Sequence, residues 1–156
     1  MPEVKRAGSR RAAGTVWTMV LGVVLIVAGF AVSVPVVNDA AAREVETELL
    51  SLPLPAGTER IDSTAQAGRL VGNGNGMQYL GALLIRSDRS LEQLRSFYRA
   101  YDDPAVAVIP TTGTEIGEFH GAGGFLARAG EAGTFIVYAW GDGPGWFYED
   151  VDLRGH

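Results

Sequence analysis

The chain has 156 residues, 47% of them hydrophobic and 20% charged, with no cysteine and a net charge of −5. That length suits one globular domain with extensions. The lack of cysteine excludes disulfides, thiolate zinc sites, a cysteine nucleophile, covalent haem and a cysteine-borne lipid anchor. The acidic balance argues against nucleic acid as a partner, because such binding calls for clustered Lys and Arg.

The charge is unevenly spread. Residues 1–14 carry Lys5, Arg6, Arg10 and Arg11 against Glu3, a net of +3. Residues 15–38 carry no charge, and residues 39–156 carry a net of −8. Residues 16–37, VWTMVLGVVLIVAGFAVSVPVV, form an uninterrupted apolar run. As a helix this run is about 33 Å long, enough for a bilayer core of about 30 Å. Trp17 stands where an interfacial anchor belongs, and Gly22 and Gly29 are tolerated in membrane helices. The basic flank is expected to stay cytoplasmic, with the rest of the chain outside. The division expected is a basic cytoplasmic tip at 1–14, a transmembrane helix at 15–37, a juxtamembrane helix and proline-rich spacer at 38–56, and an extracytoplasmic domain at 57–156. The competing reading is a signal peptide cut near Asp39-Ala40-Ala41-Ala42. Ser9-Arg10-Arg11 is a weak match to a twin-arginine export signal, because no bulky apolar pair follows.

Asn38 or Asp39 is placed to cap a further helical stretch in which Ala41, Val45, Leu49 and Leu52 recur at helical spacing. This stretch either extends the membrane helix or packs on the domain. The run LPLPAG at 52–57 then ends it, and its alternating prolines favour a semi-rigid spacer. Residues 58–71 read as one strand or two short ones, and a further strand is expected at 77–85. Ser90 and Gln93 form a capping box ahead of an amphipathic helix, LEQLRSFYRAYD, with Leu91, Leu94, Tyr98 and Tyr101 on one face. Further strands are expected at 105–110, 125–129 and 134–140, the last two joined as a hairpin through Gly130-Glu131-Ala132-Gly133, and 146–153 is a candidate for one added edge strand. The order β-β-α-β-β-β with a single helix points to an α+β domain, a small antiparallel sheet packed by one amphipathic helix.

Gly72-Asn73-Gly74-Asn75-Gly76 is the most unusual string. A phosphate-binding loop needs a following helix N-terminus and a Gly-Lys-Ser/Thr, and both are missing here. The string therefore reads as a tight turn rich in left-handed backbone, or as a loop whose backbone meets a partner closely. No cofactor is expected. The strings LPLPAGTERI, AGRLVGNGNGMQYLGALLIRSD and SLEQLRSFYRAY resemble a family of small uncharacterised bacterial membrane-anchored proteins with a GNGNGMQY-type signature. The resemblance covers about residues 52–101. It implies that 72–79 and the helix at 91–101 are hallmarks of that family, and it carries over no catalytic residue.

His120 lies near Glu115 and Glu118, but general acid–base work needs a positioned partner, and no Gly-x-Ser-x-Gly elbow occurs. A surface-loop histidine is the simpler reading. Glu149, Asp150 and Asp152, with Asp142 nearby, offer carboxylates to a hard cation but lack EF-hand spacing. A solvated acidic edge explains them equally. Trp140, Trp146, Phe147 and Tyr148 read either as core or as a recognition patch. The candidate ligand or partner contacts are thus Asn73, Gly74, Asn75, Tyr79, Trp146 and Tyr148, with no catalytic or metal-binding set. The function expected is a single-pass, membrane-anchored extracytoplasmic binding module whose partners are the lipid bilayer and an envelope protein. The alternatives are an envelope hydrolase using Asp/Glu or His120, and a secreted inhibitor-like protein released by cleavage.

Overall fold

The computed structural model describes residues 8–68, 70, 77–101, 105–112, 125 and 129–141, with α1 side chains from Gly14 onward. Helix α1 runs unbroken over Gly8–Ser51. It contains the whole apolar run and continues through residues 38–51, so Asn38 and Asp39 lie inside it and cap no separate helix. Pro35 lies inside it, where its ring removes one intrahelical hydrogen bond. The chain then makes β1 (Thr58–Gly68), β2 (Gln78–Ser87), α2 (Leu91–Tyr98), β3 (Val106–Pro110) and β4 (Thr134–Gly141). The four strands form one antiparallel sheet in the order β1-β2-β4-β3. The fold class is α+β, as the sequence predicts.

Residue alternation explains the layers. Along β2, Tyr79, Leu83 and Ile85 face one side and Leu80, Ala82 and Leu84 the other, and all six are buried. Such an apolar run marks a central strand covered on both faces. The first face packs against Ala41, Ala42, Val45 and Leu49 of α1 and against Leu94 and Tyr98 of α2. The second face gathers Ile109, Ile136 and Phe125 around the other β2 side chains. Helix α2 starts at the expected capping box, with Ser90 accepting from the Gln93 amide and Gln93 returning a bond to the Ser90 amide.

Two expectations need correction. The sheet is not covered by one helix alone: the second half of α1 lies beside α2 on the same face. Phe125 is helical rather than the start of a strand, and β4 pairs with β2 and β3. The physical reason is burial. A sheet apolar on both faces needs cover on the second face, and Phe125 supplies a large side chain there. The turn before β4 is kept, with Gly133 at φ 79, a backbone region that favours glycine. The expected strand at 146–153 lies outside the described residues.

Candidate functional site

The contact between α1 and the sheet is built by small side chains. Val34, Asn38, Ala41, Ala42, Val45 and Leu49 form one buried stripe at helical spacing. Opposite them, Gly81 has no side chain. A Cβ at that position would stand 2.6 Å from the Glu46 amide nitrogen and 2.8 Å from the Val45 carbonyl carbon. The helix backbone therefore rests directly on β2. Gly141 of β4 likewise makes room for the Val45 side chain. Asn38 is a polar residue in this apolar seam, and the Tyr79 hydroxyl donates to its Oδ1 at 3.3 Å. Both residues are buried, so this bond offsets the cost of removing two polar groups from water.

The opposite end of the sheet is polar and open. Arg86 donates to Glu59 at 2.7 Å and to Glu131 at 2.5 Å. It thereby ties β1, β2 and the turn before β4 together. Its hydrogen bonds to Glu59 and then to Glu131 hold its guanidinium above the usual arginine range. Ser87 and Thr58 share a hydroxyl contact at 2.7 Å. A shallow depression of about 400 Å³ lies here, lined by Gly57, Thr58, Glu59, Arg86, Ser87 and Asp88. Its single cation is already met by two carboxylates, so its chemistry is that of a surface clasp. A second depression of about 320 Å³ lies between α2 and β3, beside Arg95, Arg99 and Tyr138. There Arg95 Nε donates to the Val108 carbonyl at 3.0 Å.

Tyr79, a candidate contact, sits in the core at 4% exposure, its ring between α1 and the sheet. Trp140 is half-buried on the second face and meets Tyr138 edge-on at 6.3 Å. Asn73, Gly74, Asn75, Trp146 and Tyr148 lie outside the described residues, as do His120, Glu115, Glu118, Asp142 and the carboxylates at 149–152. Among the described residues no three His, Asp or Glu side chains stand close enough to hold a metal. Sequence reasoning took Asn38 for a helix cap and missed its place in the seam, and it missed Gly81. A lone glycine inside a strand pattern, a known mark of close backbone approach, was the available signal for Gly81. Comparison with family models, with curated proteins and with solved structures finds no match for the chain.

Proposed function

We propose that the protein is a single-pass, membrane-anchored binding module, with its basic N-terminus in the cytoplasm and its α+β domain outside, where it engages another protein of the cell envelope. The observation that carries this reading is the dual role of α1. The helix contains a segment long and apolar enough to cross a membrane, with mean hydropathy 2.7. The same helix supplies Asn38, Ala41, Ala42, Val45 and Leu49 to the buried interior of the domain. Two of the three alanines that a signal peptidase would recognise, Ala41 and Ala42, are thus helical core residues, while Ala40 faces outward. Cleavage there would remove part of the domain's own packing, which favours retention of the anchor over release. The basic flank and neutral span support the orientation through the positive-inside rule.

Two measurements test the proposal. In cells carrying a C-terminally tagged chain, the tag is expected in the membrane fraction at full length, and protease added outside is expected to remove it. A product starting near Ala42 in the medium overturns the anchor. Photocrosslinkers at Asn75, Trp146 and Glu131 in intact cells are expected to capture a discrete envelope protein. No reproducible protein adduct from any of the three overturns the binding role.

A further inference from the structure

The contacts between α1 and the sheet fix which end of the domain lies nearest the apolar segment. Asn38, one residue past that segment, meets Tyr79 near the start of β2. Val45 and Glu46 lie against Gly81, and Val45 also meets Gly141 at the end of β4. Further along, the Leu50 carbonyl accepts from Arg60, near the start of β1. Strand β2 thus runs in the same sense as α1, away from the apolar segment. The near end of the sheet is formed by Gly68, Gln78 and Gly141, which are neighbours in the strand register. The far end holds Thr58, Ser87 and Thr134. Along β2 the two ends are about 30 Å apart.

Heights follow from helix geometry. Val45 stands eight residues beyond Val37, at most about 12 Å above the end of the apolar run. The headgroup layer occupies about 5–7 Å of that on each side of a bilayer. Val34 gives an independent observation. It lies inside the apolar run yet has 0% exposure, whereas Val32 and Val36 on the same helix keep 63% and 61%. A valine on a bare helix would resemble those two. Part of the chain other than α1 therefore covers the helix about 4–5 Å below the end of the apolar run.

We propose that the near end of the sheet, around Gln78, Ala105 and Gly141, is a lipid-contact surface resting on the phospholipid headgroups. This inference rests on the membrane-anchor reading of α1. The domain then stands upright on the bilayer, and the far end, with Arg86, Glu59 and Glu131, points away from it. A soluble domain of a protein partner is left the far end and the sheet edges.

The absence of native cysteine makes the test direct. Full-length chains with Gln78→Cys, Ala105→Cys, Asp88→Cys or Ile26→Cys carry one fluorophore each and are reconstituted into phosphatidylcholine vesicles. Ala105 is an exposed near-end position and serves if Gln78→Cys fails to fold. Lipid bearing a nitroxide on its headgroup is expected to quench the near-end label several-fold more than the Asp88 label. Equal quenching at the two ends overturns the inference. The Ile26 label separates the two claims. If acyl-chain nitroxide quenches it while the two ends are alike, the anchor stands and the lipid-contact surface fails. If acyl-chain nitroxide leaves it bright, the anchor reading itself fails.

Discussion

The two halves of α1 solve the same problem in opposite ways. Residues 16–32 are apolar on every face, and Trp17, Leu25 and Ile26 stay 74%, 62% and 73% exposed. Residues 38–51 are apolar along one stripe only, and Ala42 and Leu49 are fully buried while Arg43, Glu44, Thr47 and Glu48 face outward. A helix apolar all round needs lipid or a large core around it, whereas a striped helix needs one packed face. Here both demands fall on one unbroken helix. The apolar segment is therefore continuous with the core, with no break in the helix between them. Removing the first half up to residue 42 would also remove Asn38, Ala41 and Ala42 from the interior.

The sharpest way to break that continuity is to push the sheet off the helix. Gly81→Val places methyl groups where the Val45–Glu46 backbone lies. Neither backbone can yield without shifting the whole helix. The expected loss is about 3 kcal/mol or more, a large share of the roughly 5–15 kcal/mol that stabilises a domain. Chemical denaturation in detergent micelles, followed by circular dichroism, measures it. Stability unchanged within error would show that α1 does not dock as described.

A paired substitution then compares the two halves directly. Leu49→Ala opens a cavity in the seam and is expected to cost about 3 kcal/mol. Ile26→Ala, a change of similar size on the exposed half, is expected to leave the domain's denaturation midpoint in place. Equal effects would mean that the two halves share one environment.

The strong periodic signals were legible before the structure. The apolar run, the capping box at Ser90 and Gln93, and the strand that became β2 all rest on local patterns that tertiary contacts merely reinforce. What escaped depended on contacts distant in sequence. The stripe at 41, 45 and 49 was visible, but not that the sheet at Gly81 would receive it. Phe125 looked like a strand residue because a single large apolar side chain carries no period, and the cover of the second sheet face decided its place. The glycine string at 72–76 drew notice by its density, while the glycine that sets the packing stands alone in β2. Tyr79 was singled out beside that string as a contact. The structure places it in the seam, where its hydroxyl meets Asn38, forty-one residues away.

Tyr98 sharpens the comparison on the α2 side of the same core. Its side chain is 1% exposed, and its hydroxyl is buried without a hydrogen-bond partner among the described residues. Burial pushes its pKa up from 10.0 to about 12, with Arg60 opposing and Tyr101 adding to the rise. The unfolded chain thus loses this proton first. The stabilising contribution is complete below pH 10 and is lost as the pH rises toward 12, about 2–3 kcal/mol in all. Urea midpoints measured from pH 8 to 12 are expected to fall over that window. Tyr98→Phe is expected to reduce the fall and to leave stability at pH 7 equal or up to about 1 kcal/mol higher, since it removes an unpaired hydroxyl. An identical alkaline fall in both proteins would assign the effect to other tyrosines.

The smallest effect is expected at the far end, where the contacts look strongest on distance alone. Arg86 reaches two carboxylates, yet its side chain is 46% exposed and those of Glu59 and Glu131 are 63% and 66% exposed. Water and salt screen such pairs, and holding three long side chains together costs conformational entropy. The raised pKa of Arg86 changes nothing over the accessible pH range, because an arginine is charged throughout it. Arg86→Gln is therefore expected to leave the denaturation midpoint unchanged within error, in low and in high salt. A clear loss that disappears in high salt would reverse the ranking of the two ends, making the exposed clasp the stabilising device in place of the helix–sheet seam.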